Sequence, residues 1–215
     1  MSAAREEILS RIRGALGDVP AAETPDDVVV TRAYRSVDER PRDELIAVLC
    51  ERIGDYNAEV RRVASTGIAD AVRAACADAG IAQLAVAPGV PAEWRPAGIG
   101  IVEDHGLGAA ELDELNAALT GCVAAIAETG TVVLDGQALS GRRLLTLVPD
   151  HHICVVTADQ VVGQVPEAIA VLRPAVAEAH APVTLVSGAS ATSDIELSRV
   201  EGVHGPRHLL VLIAE

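Results

Sequence analysis

Short apolar runs separated by helix-patterned segments constrain this chain more than any other feature. Glu59–Ala64, Gln83–Ala87, Ile99–Val102, Ile153–Thr157, Val183–Val186 and Leu209–Ile213 read as strands, several of the buried kind. Between them lie helical stripes. Ile8, Leu9, Ile12 and Leu16 share one face of a helix over 3–16, and Leu45, Ile46, Val48, Leu49 and Ile53 share one over 42–54. Thr66 is placed to cap a helix running through Ala79, which Gly80 ends. Leu112, Leu115 and Leu119 mark another helix, and 166–178 a last one with proline in its first turn. Strands alternating with helices predict an α/β fold with a central, mainly parallel sheet and flanking helices. Glu59–Ala64, the helix after it and Gln83–Ala87 predict a strand–helix–strand unit with parallel pairing. Cys122–Leu134 is apolar except at Glu128-Thr-Gly, and reads as two short strands flanking a tight turn, or as a strand plus a loop.

The N-terminal stretch differs. After the first helix, residues 18–41 are rich in acids and prolines, with a short extended piece at Val28–Val30. This predicts a helical arm over 1–40 and an α/β domain over 41–215. The core of that domain must be aliphatic, because the chain has no Phe, one Trp and two Tyr. Its basic residues are all arginine, and the net charge is −14. A field of that sign repels phosphate backbones and acidic membranes, so neither nucleic acid nor a membrane is an expected partner. The arginine pairs Arg61-Arg62 and Arg142-Arg143 read as solvated, and Asp104-His105 and His180 as surface positions. Cys50, Cys76, Cys122 and Cys154 are far apart and form no Cys-x-x-Cys, so no cluster or cysteine-bound zinc is expected in this chain. Buried free thiols, an N-terminus without an apolar signal core, and no long apolar span together predict a cytoplasmic protein.

Three stretches carry candidate chemistry. In Ala127-Glu128-Thr129-Gly130-Thr131, an acid breaks an apolar stretch, where it is costly to bury unless paired or functional. Glu128 is therefore a candidate nucleophile, general base or ligand anchor, and the alternative is an exposed turn. Ser187-Gly188-Ala-Ser190-Ala-Thr192-Ser-Asp194-Ile-Glu196, continuing to Arg199 and His204, offers small residues, hydroxyls and amides to an anion, with Arg199 as a local cation. It matches neither a Walker loop nor a dinucleotide fingerprint. His151-His152 supplies imidazoles, with His152 a candidate proton acceptor. The histidine and acid spacings match no standard metal motif, and no Gly-x-Ser-x-Gly elbow is present. Ligands in open α/β sheets favour the carboxyl ends of strands. The Glu128 turn and the Ser187 loop both flank strands, and they are expected to converge.

Together, Cys122–Gly136, Leu147–Val156 and Ser187–Pro206 resemble the LUD domain family, and within it the lactate utilization protein C branch. The resemblance covers roughly residues 40–215. It implies a fold similar to the NagB/RpiA/CoA-transferase group. It also implies a part in oxidising L-lactate to pyruvate beside iron–sulfur partner proteins, with the clusters in the partners and no cofactor in this chain. The expected ligand is a small carboxylate or a phosphate-containing molecule. Thr129, Gly130 and Thr131 join the Ser187–His204 residues as candidate contacts. Two other functions are open: acyl or CoA transfer (or a ligase-like step) through Glu128, which resembles the CoA-transferase glutamate in kind, and a regulatory module that binds a metabolite.

Overall fold

The computed structural model describes residues 3–20, 22–24, 27, 29–193, 199–202 and 204–215. By its internal contacts the chain divides into two units, Met1–Tyr34 and Arg35–Glu215. The first holds helix α1 (Ala3–Ala15), none of whose residues is buried. Val29 and Val30 lie outside any strand, and Val28 falls outside the described residues.

The second unit opens with α2 (Arg42–Asp55), which buries Leu45, Ile46, Leu49 and Ile53. Then follow β1 (Glu59–Val63), α3 (Ile68–Asp78), β2 (Gln83–Val86), β3 (Gly100–Glu103), α4 (Ala109–Leu115), β4 (Ala117–Gly121), β5 (Ala124–Ile126) and β6 (Thr131–Leu134). The chain continues through β7 (His151–Thr157), β8 (Val161–Val162), α5 (Val165–Ala177), β9 (Thr184–Val186), β10 (Ala191–Ser193), β11 (Arg199–Glu201) and β12 (His208–Ala214).

Six strands form an all-parallel sheet in the order β1-β12-β7-β4-β2-β3. A parallel sheet needs cover on both faces, and the strand alternation shows what supplies it. On one face, Ile153, Val155, Leu210 and Leu212 pack with Ile68, Val72 and Cys76 of α3, Leu112 and Leu115 of α4, and Trp94. On the other, Cys154, Val156, Leu209, Val211 and Ile213 pack with α2 and with Ala125, Val132 and Leu134 of a second sheet, ordered β8-β5-β6-β9. The outer face of that second sheet, through Ala124, Ile126 and Val133, takes Ala168 and Leu172 of α5. The expected α/β architecture is present, and of the two readings of Cys122–Leu134 the structure takes the first, two short strands around a tight turn, which pair antiparallel.

Three local expectations are corrected. β1 and β2 lie in one sheet but are not neighbours, because β12, β7 and β4 stand between them. Thr66 is no cap: a 3-10 turn over Ser65–Gly67 precedes α3, which starts after Gly67 without a side-chain cap. Leu119 is not helical. Asn116 adopts a left-handed conformation (φ 59°) that stops α4, and Leu119 lies in β4, whose residues are all buried.

Candidate functional site

Successive residues of a strand face opposite sides of a sheet, so His151 and His152 at the start of β7 enter different surroundings. His151 follows Ile153 and Val155 towards the α3 face. Its ring stacks on that of His208, its partner in the β7–β12 register, with centroids 4.4 Å apart. Burial, then the neighbouring His208, lowers the pKa of His151, while Asp150 opposes the shift. These rings border a cleft of about 380 Å³ that Asn57, Arg61, Asp78 and Arg207 also line. Its arginines are engaged: Arg61 pairs with Glu59 and Asp78, and Arg207 with Asp150 at 3.1 Å.

His152 points to the other face. It is 2 % exposed, and its Nε2 lies 2.8 Å from Thr120 Oγ1 of β4. Burial pushes its pKa down to about 4, so the ring is neutral at pH 7. It forms part of the wall of a cavity of about 230 Å³. Arg143, Thr146, Thr184, Ser187, Ser190 and His204 supply the rest of the polar lining, with Gly188 between the serines. The cavity lies at the amino ends of β7 and β12 and beyond the carboxyl end of β9. The Glu128 turn and the Ser187 loop do converge, as Thr131 and Ser187 hydroxyls meet at 2.7 Å.

Local contacts explain how the loop reaches this wall. The Ser190 amide donates to the Pro206 carbonyl at 2.8 Å, and the Gly202 amide to the Ser190 carbonyl at 2.8 Å. The His204 amide donates to Ser190 Oγ at 3.2 Å, so one serine ties both arms of the loop. Gly188 has φ +86°, and a Cβ there would stand 2.5 Å from Tyr56 Cβ, so only glycine lets the chain pass. Thr192 and Arg199 belong to β10 and β11, which pair antiparallel with Thr192 opposite Val200 and Ser193 opposite Arg199. Asp194 and Glu196 lie outside the described residues.

The Glu128 turn meets this loop through hydroxyls. Thr129 Oγ1 and Thr131 Oγ1 are 2.7 Å apart, and Thr131 Oγ1 is 2.7 Å from Ser187 Oγ. Pairing of β6 with β9, Val132 opposite Val186, sets this contact. Gly130 has φ +61° and rests against the Arg52 backbone. Glu128 itself does not line the cavity. Its amide donates to the Gly163 carbonyl at 3.1 Å, and its carboxylate, half exposed, lies 3.7 Å from Arg35.

The Arg142-Arg143 pair, expected to be solvated, is split between two surroundings. Arg142 makes a two-pronged bond to Asp104, at 2.7 Å to each oxygen. Asp104 is therefore buried rather than at the surface, and also accepts the Gly106 and Leu107 amides. These bonds hold its carboxyl below the usual range against the cost of burial. Arg143 extends to the cavity, where Nη1 lies 3.2 Å from Thr184 Oγ1, and has no acidic partner among the described residues. Arg143, Thr146 and His208 carried no motif. The one available signal was that His151 and His208 each open an apolar run. Among the described residues, no group of three or more His, Cys, Asp or Glu side chains is placed to hold a metal. Nor is any helix long and apolar enough to cross a membrane.

Comparison with known proteins gives this geometry a family. The LUD domain model matches residues 109–214, from α4 through β12. A lactate utilization protein C of Deinococcus radiodurans is 42% identical over 212 residues, covering 98% of this chain and 95% of the relative. The chain belongs to the LUD domain family. Its lactate utilization protein C relatives also include one from Bacillus subtilis, 25% identical over 80% of this chain and 79% of its own length. Among solved structures, a DUF162 family protein of Deinococcus radiodurans matches with TM-score 0.70 and 37% identity, over 82% of this chain and 99% of that one. The LUD domain match takes in Glu128, His152 and the Ser187–His204 loop, so the cavity is built within the family domain.

Proposed function

We propose that this protein serves L-lactate utilization as a component without a cluster of its own, working beside iron–sulfur proteins that carry the electrons. The observation that carries the reading is the 42% identity, over nearly the whole of both chains, to a protein named for lactate utilization. The functional centre in this reading is the His152 cavity, with Arg143, Ser187, Ser190 and His204 around it. The cysteines favour the same division of labour. They are far apart in sequence and form no Cys-x-x-Cys, the spacing on which clusters are commonly built.

The test is anaerobic co-purification of the tagged chain from its own cells, together with growth of a deletion strain on L-lactate. Recovery of iron–sulfur proteins and loss of growth, restored by the gene, are expected. Normal growth of the deletion strain with no such proteins recovered would overturn the reading.

A further inference from the structure

Helix α5 is apolar on the face it turns to the second sheet and on the flank it turns to solvent. Ala168 and Leu172 pack on the sheet. Val165, Ile169 and Val176 lie on the adjoining stripe and are exposed. Only Glu167 and Arg173 of its thirteen residues are charged. The other long helices of this unit are built differently. α2 carries Asp43, Glu44, Glu51 and Arg52 among its charges, and α3 carries Asp70, Arg73 and Asp78. A helix that is apolar all round is ordinarily covered all round.

Strand β9 extends the same surface. It is an edge of the second sheet, paired with β6 alone. Leu185 stands opposite Val133, and so on the side of the sheet that α5 covers. A groove of about 550 Å³ runs beside the helix, lined by Pro166, Ile169, Leu172, Arg173, Val176 and Val183. Val165, Ile169, Val176, Val183 and Leu185 are each between 37 % and 54 % exposed. Elsewhere among the described residues of Arg35–Glu215, the exposed large apolar side chains are Val37, Tyr56 and Val171, each standing alone. Single apolar residues at a surface are ordinary, whereas a contiguous patch marks an interface.

Area and charge decide what covers it. At about 32 Å² per aliphatic carbon, the five side chains, with the alanines and prolines between them, offer on the order of 300 Å² of apolar surface. Interfaces are roughly 60 % apolar, so one such patch on each of two copies corresponds to about 1,000 Å² buried in total. That is the threshold for a specific contact, at its weak, reversible end. A two-fold contact uses one patch twice and leaves neither copy's face uncovered. Charge permits the approach here. Two bodies of net charge −14 repel each other, but this patch offers no free carboxylate. The Glu167 carboxylate is engaged by the Gln164 amide at 2.7 Å, and Arg173 has no acidic partner among the described residues. The free charge at the groove is therefore opposite in sign to the body that approaches it.

We infer that the α5–β9 face is the two-fold interface of a reversible homodimer, with the groove beside α5 filled by the same face of a second copy.

The test is sedimentation velocity of the full chain over a dilution series, with folding of each variant checked by circular dichroism. A monomer–dimer equilibrium with Kd on the order of 10 µM is expected. Ile169→Glu and Val176→Glu place a carboxylate in the contact, and each is expected to weaken it at least about tenfold. Val171→Glu, on the opposite flank of the same helix, is expected to leave the equilibrium unchanged. Added salt is expected to tighten the dimer, because it screens repulsion between two acidic bodies and leaves apolar contact intact. A chain that stays monomeric at about 500 µM, on the weak side of any functional dimer, overturns the assignment. So does dimerisation of Ile169→Glu and Val176→Glu at wild-type strength, an equal loss in Val171→Glu, or a dimer that salt dissolves.

Discussion

Glu128 and His152 both interrupt apolar stretches, and the fold treats them in opposite ways. Glu128 sits at the tip of the β5–β6 hairpin, where Gly130 turns the chain and the carboxylate stays in water near Arg35. His152 sits inside a strand, so its neighbours Ile153 and His151 take the other face and the ring enters the interior. A polar residue at a turn avoids the cost of desolvation, whereas one within a central strand must be hydrogen-bonded. Thr120 supplies that bond to His152, whose residue also borders the cavity. The difference teaches that, of two polar breaks in apolar sequence, the one inside a strand is drawn into the interior and given a partner, while the one at a turn stays in water.

The contrast is sharpest in acid. His152 is held neutral by burial, with a folded pKa of about 4 against an ordinary value of 6.5. Between those pH values the unfolded chain binds a proton that the folded chain does not, so folding weakens as pH falls through that window. The slope from this one group is about 1.4 kcal/mol per pH unit, or about 3 kcal/mol across the window. The stability of wild type relative to His152→Gln, from urea unfolding at stepped pH, should therefore fall by that order between pH 6.5 and 4. A constant difference would show that the ring is not buried and neutral.

The arginine pair sharpens the same comparison at smaller cost. Arg142→Ala strips a buried carboxylate of its partner and should lose about 2 kcal/mol, whereas Arg143→Ala should stay within about 0.5 kcal/mol of wild type. Equal losses in thermal melts would deny that one arginine holds a buried carboxylate while the other lines the cavity. Thr120→Val leaves His152 Nε2 without its partner and should cost about 1–2 kcal/mol in urea. A neutral outcome would mean that the Thr120–His152 bond is not made. The smallest change is expected at Glu128→Gln, within about 0.5 kcal/mol, because exposed ion pairs contribute little. A loss above about 2 kcal/mol there would break the contrast outright.

Much of this fold was legible because buried strands carry unbroken Val, Leu and Ile, and helices carry their stripe. β4 was hidden for a physical reason. Ala117-Ala-Leu-Thr-Gly121 is short and alanine-rich, and Leu119 happens to continue the spacing of Leu112 and Leu115, so only the left-handed Asn116 separates helix from strand. The neighbours of β1 were hidden because the strand that fills the place beside it comes from the far end of the chain. In the site, the loop from Ser187 to His204 announced itself by composition, and its meeting with the 128–131 turn by the strands beside each. Arg143 did not, since nothing in Arg142-Arg143 says which guanidinium a distant Asp104 will take. His151 and His152 were alike until the register of β7 assigned each a face.

The most direct test of the account is complementation of a deletion strain on L-lactate by three variants side by side, with protein levels matched. The account predicts that Arg143→Ala and His152→Gln fail to restore growth, while Glu128→Gln restores it fully. Growth with both cavity variants, and its loss with Glu128→Gln, would place the function at the hairpin turn and contradict the account.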